Sequence, residues 1–395
     1  MHEIVRTLIG LGVLLAAAGG VLAQSEEASE MPPPEGGALR STNNLYNPSI
    51  TVFGDFAGSL STNSDDKSLN RFALREVELD MRAAVAPWVD GVLTIAIAEE
   101  LEEDSSGDIE AETHFEFEEG YLNFHTLPWD LALKAGKFRS AFGRQNRLHL
   151  HDLPQVTRPL ATEAFMGHHG LMTTGVSVSR LVPNPWDDYV EFTAEVVNAD
   201  GGEEAPILGG PNADNPAVLA RLKWFTDVGE NATMELGGTY LYTRTGSDTD
   251  SDGRVVGADW SYQWLDPESP DSRSFLLQAE AYWAANDIEA PAGTVRNRSW
   301  GGYAFGQYQF ARDWYAGLRG DYTEFPDDGD RGVEDSDWAA SPYVTWYITE
   351  FLRLRFEYQH HVKEVGGLDD RQGNFFFSLT WAYGAHPPHP YWVNR

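Results

Sequence analysis

Between Lys134 and Arg158 the sequence gathers six basic residues, Lys134, Lys137, Arg139, Arg144, Arg147 and Arg158, against one acid, Asp152, in a chain that overall carries 28 basic and 61 acidic side chains. A reversal of sign of this kind favours anions where it lines an aqueous passage, because a cleft of one charge focuses the field. The same stretch and its continuation hold His149, His151, His168 and His169. Imidazole is a common ligand for zinc, copper or nickel, and with Asp152 or Glu163 these histidines make a candidate divalent-metal set. In an extended backbone His149 and His151 face one side, whereas His168 and His169 point apart unless the chain turns there, so no more than about three of the four bind together. A third reading needs no ligand: the bases and imidazoles pair with acidic surroundings and pin the segment.

Two sets of carboxylates also have suggestive spacing. Asp248, Asp250 and Asp252, with Asp259 at the twelfth place, match the ligand positions of an EF-hand Ca²⁺ loop, but the flanks read as strands, and a solvated acidic turn is the plainer reading. Glu76, Glu78 and Asp80 alternate onto one face, a spacing that two-carboxylate glycosidases use. No aromatic cleft is tied to them in sequence, so they read as a hydrated wall and the chain is not read as an enzyme. The absence of cysteine excludes disulfides, thiolate zinc sites and thiol catalysis. A formal charge of -33 argues against nucleic-acid binding, and 13 Trp, 16 Tyr and 20 Phe argue against a disordered acidic chain.

The elements that position these residues follow from alternation. Residues 1–23 have the apolar run and the Val21-Leu22-Ala23 ending of a secretory signal peptide, and residues 24–47 read as a flexible acidic leader too short for a plug domain. Beyond them no apolar stretch reaches the length of a spanning helix, so membrane insertion requires strands. Sixteen runs of period two fill residues 48–385. In one, Leu352, Leu354, Phe356 and Tyr358 oppose Arg353, Arg355, Glu357, Gln359 and His361; in another, Ala258, Trp260, Tyr262 and Trp264 oppose Asp259, Ser261 and Gln263. Short links after even-numbered runs alternate with long polar links after odd ones. That is the mark of an up-and-down antiparallel transmembrane β-barrel, all-β, with about sixteen strands. Pro87-Trp88, Pro128-Trp129 and Pro185-Trp186, with Trp314, recur at the short links, as an aromatic girdle at one rim requires. A His/Pro-rich tail, 386–395, follows the last run.

Sixteen strands enclose an aqueous lumen, and a long polar segment at 139–171 is then positioned to narrow it. The expected function is passive diffusion of small solutes or ions across a bacterial outer membrane. The alternatives are a receptor for a divalent metal such as zinc, and a secreted soluble all-β binding protein or enzyme. The expected partners are outer-membrane lipids, lipopolysaccharide and small solutes. No cofactor is required on this reading, with Zn²⁺ and Ca²⁺ as candidates at the sites above.

The run KAGKFRSAFGRQNRLHLHDLPQVTRPL, residues 134–160, resembles the strand and constriction loop of the phosphate-selective porin O/P superfamily. Together with GAHPPHP at 384–390 it is also similar to a group of outer-membrane barrels described as zinc-regulated TonB-dependent receptors. The resemblance implies a trimeric sixteen-stranded barrel and makes Arg139, Arg144 and Arg147 candidates for lining a constriction.

Overall fold

The computed structural model describes residues 48–63, 69–103, 109–199, 207–208, 216–244, 252–290, 293–326 and 335–384. The signal segment 1–23, the leader 24–47 and the tail 386–395 lie outside the described residues. The strands are β1 (Ser49–Ser61), β2 (Phe72–Ala86), β3 (Val89–Glu103), β4 (Ile109–Leu127), β5 (Leu131–Arg139), β6 (Met172–Leu181), β7 (Tyr189–Asn198) and β8 (Pro216–Asp227). They continue as β9 (Ala232–Arg244), β10 (Asp252–Leu265), β11 (Ser274–Ala290), β12 (Gly293–Ala311), β13 (Trp314–Glu324), β14 (Ser336–Thr349), β15 (Leu352–Val365) and β16 (Leu368–Gly384). Each pairs antiparallel with its chain neighbours, and β1 pairs with β16, so the sheet closes and leaves no edge.

Closure is what lipid demands, since only a closed ladder satisfies every backbone N–H and C=O in hydrocarbon. Period-two alternation then sorts the side chains. In β2, Glu76, Glu78 and Asp80 are buried in the interior while Phe72 and Leu74 are exposed outside; in β15, Arg353, Arg355, Glu357 and Gln359 are buried and Phe356 and Tyr358 exposed. At the seam, Gly54 and Gly58 of β1 stand opposite Trp381 and Phe377 of β16. A Cβ on Gly54 would lie 2.2 Å from the Trp381 ring, and one on Gly58 2.4 Å from the Phe377 ring. The two rings therefore lie directly over bare backbone and continue the lipid-facing stripe.

All sixteen sequence runs correspond to strands, but the ladders extend further than apolar alternation shows. β11 and β12 remain paired out to Ala290↔Gly293, and β15 and β16 out to Val365↔Leu368, through stretches that read as polar loops. Beyond the hydrocarbon both faces of a hairpin meet water, so the hydrophobic period vanishes while the hydrogen-bond ladder persists. The links after even-numbered strands all lie at one end. Trp88, Trp129, Trp186 and Trp314 gather there, with Trp129 78% and Trp186 73% exposed. Trp129 and Asp130 both have positive φ, 67° and 57°, within the three-residue link Pro128–Asp130 that reverses the chain between β4 and β5.

The interior departs from a uniformly polar wall. Inward positions Val197 of β7, Ala217 and Leu219 of β8, Leu241 of β9, Val255 of β10, and Tyr282 and Ala284 of β11 are apolar and buried. They form one cluster with Phe138, Phe142, Phe165, Met166 and Leu171. A core of this kind inside a barrel exists because the chain between β5 and β6 folds inward onto it.

Candidate functional site

Residues 140–171 leave β5 and reach β6 by way of the lumen. The two ends stand side by side: Arg139 pairs with Met172, and Ser140 N–H donates to the Leu171 carbonyl at 3.0 Å. Asn146 fastens this neck, donating to the carbonyls of Ser140 (2.8 Å) and Leu171 (3.1 Å) and accepting Leu171 N–H at 2.6 Å. Between lie two single 3₁₀ turns, Gln145–Arg147 and Leu150–Asp152, and one short helix, α1 (Leu160–Met166). None is long enough to announce itself by periodicity.

A buried loop without a ladder of its own must find partners for its backbone. Here the charged side chains of the wall supply them. Carboxylates accept its N–H groups: Glu195 (β7) from Ala141 at 3.2 Å, Glu280 (β11) from Arg144 at 3.1 Å and Gln145 at 2.6 Å, Glu357 (β15) from Val156 at 2.8 Å and Thr157 at 3.0 Å, and Asp321 (β13) from Leu160 at 3.2 Å. Arginines donate to its carbonyls: Arg355 (β15) to Leu153 at 2.9 Å and Gln155 at 2.6 Å, Arg319 (β13) to Thr157 at 2.7 Å, Arg75 (β2) to Val156 at 2.7 Å, and Arg353 (β15) to His151. The loop is thus stitched to strands on opposite sides of the barrel and crosses the lumen. Of these arginines, Arg353 and Arg355 are visible in sequence only as members of a polar face. Their partners lie far away in the chain and carry no side-chain signal, because they are backbone carbonyls.

Gly143 shows how closely the loop approaches the wall. Its φ is +64°, and a Cβ there would lie 2.2 Å from Oε2 of Glu280, the carboxylate that also accepts the Tyr282 and Tyr303 hydroxyls, each at 2.8 Å. Gly143→Ala is expected to destabilise the folded protein by at least about 1 kcal/mol, since backbone strain and displacement of a buried acceptor act together. A urea midpoint equal to that of the parent protein would show that the loop moves freely off Glu280.

The basic cluster is distributed among several partners. The Lys134 ammonium lies 5.1 Å from the Tyr121 ring centre, and Lys137 donates to the Phe117 carbonyl at 2.6 Å. Arg139 bonds Glu118 at 3.2 Å and the His169 carbonyl at 2.5 Å, and Arg144 pairs with Glu235 at 3.0 Å. Arg147 is exposed. Arg158 is buried and donates through Nε to the His168 carbonyl at 3.0 Å, while its Nη1 and Nη2 make no hydrogen bond. These nitrogens belong to a recess lined also by Arg75, Glu76, Glu118, Arg139 and His169. Burial and the neighbouring Arg139 outweigh the acids around Arg158 and bring its pKa down to about 10.

The four histidines separate into two pairs. The rings of His149 and His151 stack with centroids 5.4 Å apart; those of His168 and His169 meet edge to face at 5.2 Å. His168 pairs with Glu163 (2.9 Å) and His169 approaches Glu116 (3.6 Å). Asp152 lies 3.5 Å from Nε2 of His151. Nδ1 of His149 lies 2.8 Å from Glu118 and 2.9 Å from Glu78, and Nδ1 of His151 lies 3.5 Å from Glu78 and 3.7 Å from Glu76. Burial and Arg139 push the His149 pKa down, but Glu78 and Glu118 override them and hold it well above the ordinary value. For His151, burial is overcome by Asp152, Glu78 and Glu76, which raise it to about 9. The carboxylates facing these rings come from β2 and β4, a convergence that spacing within the loop cannot disclose.

Of the spaced aspartates, the two that are described, Asp252 and Asp259, stand apart on one strand. Asp248 and Asp250 lie outside the described residues; Asp252 opens β10 and pairs with Arg254 at 2.7 Å and with Arg296; Asp259 faces the lumen and holds Arg221 at 2.6 and 2.9 Å. An EF-hand must curl to bring its fifth and twelfth positions together, whereas an extended strand carries Asp252 and Asp259 about 23 Å apart.

The chain matches no protein-family model. An uncharacterized protein of Aquifex aeolicus (strain VF5) is 29% identical over 350 residues, spanning 81% of this chain and 70% of that protein. Among solved structures, OprB of Pseudomonas putida aligns with a TM-score of 0.59 and 14% identity over 86% of this chain and 94% of its own. The outer membrane channel DcaP of Acinetobacter baumannii aligns at 0.55 with 12% identity over 85% and 96%, and the anion-selective porin from Comamonas acidovorans at 0.52 with 9% identity over 85% and 100%. At such identities the likeness is one of fold, and it is the fold of outer-membrane porins and channels.

Proposed function

We propose that the chain is an outer-membrane channel for passive diffusion of small solutes or ions, with the 139–171 loop setting its constriction. The observation that carries this reading is the loop's path: a closed sixteen-strand barrel, wide enough for an aqueous lumen, crossed by one segment held at its far wall by Arg319, Arg355 and Glu357. The resemblance of residues 134–160 to the phosphate-selective porin O/P superfamily agrees with it, and a homotrimer in outer-membrane lipid beside lipopolysaccharide is the assembly that resemblance implies. Within the basic cluster, Arg158 is the cation whose terminal nitrogens are least engaged; buried, it acts on the passage through its field and not by contact. Arg139 and Arg144 are engaged by Glu118 and Glu235, whereas both terminal nitrogens of Arg158 lack hydrogen-bond partners.

The purified mature protein is expected to give stepwise, ohmic conductance in planar bilayers, and a folded barrel that never conducts would overturn the proposal. Arg158→Gln should move the reversal potential in a salt gradient toward cations. Replacing Arg144 and Glu235 together by glutamine should leave it near that of the parent protein, because the ion pair they form carries no net charge.

A further inference from the structure

Beneath the loop, four donor side chains from three separate segments converge. Glu76 and Glu78 of β2, Glu118 of β4 and His149 of the loop each bring a ligand atom within 4.8 Å of the others, and all four residues are buried. Oε2 of Glu118 and Oε2 of Glu78 lie 2.8 and 2.9 Å from the same nitrogen, Nδ1 of His149. That nitrogen carries at most one proton and serves one carboxylate at a time. Oε2 of Glu78, on a residue 1% exposed, makes no hydrogen bond. His151, also 1% exposed, aims Nδ1 at the same carboxylates, and neither of its nitrogens is hydrogen-bonded. Buried polar atoms left in this way are costly, and their direction points to a missing common partner.

We propose that Glu76, Glu78, Glu118 and His149 form a binding site for a first-row divalent transition-metal cation, Zn²⁺ or Mn²⁺ being the chemical type. Donor atoms about 3 Å apart are the edges of a coordination shell whose bonds are about 2.1 Å long. An imidazole among the donors selects against Ca²⁺ and Mg²⁺, which take oxygen ligands. With ligands on β2, β4 and the loop, the ion would act as a strut between the loop and the wall. The site stands independently of the diffusion reading.

The test uses the full mature protein folded in detergent, stripped with a chelator and titrated calorimetrically with Zn²⁺ and, separately, with Mn²⁺ followed by electron paramagnetic resonance. One ion per chain is expected, with imidazole-nitrogen modulation in the pulsed Mn²⁺ spectrum. His149→Ala and Glu78→Gln should each weaken binding at least about tenfold, and His168→Ala should leave it unchanged. Should Glu78→Gln fail to fold, His149→Gln and the parent protein's nitrogen signal still decide the matter. The proposal is overturned by a folded parent protein that takes up no zinc at micromolar concentration. It is overturned equally by binding that survives in His149→Ala but disappears in His169→Ala, which would move the ion to the neighbouring Glu116, Glu118 and His169 group. Conductance measured on the same variants keeps failure here distinct from failure of the channel reading.

Discussion

Excision of residues 141–170, with Ser140 joined to Leu171 through an Asn-Gly turn, is expected to leave a folded barrel whose single-channel conductance is several-fold higher. The geometry permits the deletion. The loop's ends are already bonded, Ser140 N–H to the Leu171 carbonyl at 3.0 Å, and the β5–β6 ladder runs to Arg139↔Met172 without help from the loop. A two-residue turn suits such a hairpin. The barrel's own ladders hold the sheet closed in lipid, but the remainder would be less stable. Leu219, Leu241 and Val255 would face water instead of Phe142 and Phe165, and each large side chain so uncovered costs about 1.5–3 kcal/mol. Excision also removes Arg144, Arg147 and Arg158 against Asp152 and Glu163, while Arg319 and Arg355 keep Asp321 and Asp55 as partners, so selectivity should shift toward cations as conductance rises. Unchanged conductance would show that the loop does not restrict the lumen and would remove the basis for placing the constriction there.

The difference between what sequence disclosed and what it concealed lies in the range of the interactions. Each strand is legible alone, because lipid on one side and water on the other impose period two on a dozen residues, as in Val77, Leu79 and Met81 against Glu76, Glu78 and Asp80. The alternation does not say which face is inward when both are apolar. For that reason the inner cluster around Leu219 and Leu241 was hidden until the loop was seen to cover it. The basic segment was legible as a reversal of charge. Its consequence was not, because which acid meets Arg139 or Arg144 is fixed by barrel register, through Glu118 on β4 and Glu235 on β9. Sequence spacing limits the four histidines to about three common ligands without saying which, whereas turns at Leu150–Asp152 and after α1 send His149 and His151 to one set of carboxylates and His168 and His169 to another.

Arg355→Met is expected to destabilise the protein by about 3–5 kcal/mol, the range found when one partner is removed from a buried charged network. Methionine keeps most of the side-chain volume and removes the fork. That fork donates to the Leu153 and Gln155 carbonyls at 2.9 and 2.6 Å, to Asp55 at 3.2 Å, and to the Ser378 and Thr380 hydroxyls, both at 2.9 Å. Asp55 keeps Arg75, Ser378 and Thr380 as donors, so most of the loss falls on the two loop carbonyls, left buried without partners. The urea midpoint should drop, and a protease added from the loop side should cut within 140–171 at denaturant concentrations where the parent protein resists. Arg355→Lys should fall between the two, because one ammonium cannot span acceptors arranged for a planar fork. The decisive comparison is with the loop-excised barrel, where two of the five acceptors no longer exist. There Arg355→Met should cost markedly less, and the difference between the two backgrounds measures the coupling of Arg355 to the loop. Equal losses in both backgrounds would mean that Arg355 acts only within the wall, through Asp55 and β16, and that the loop is held by its apolar core rather than by the arginines opposite it.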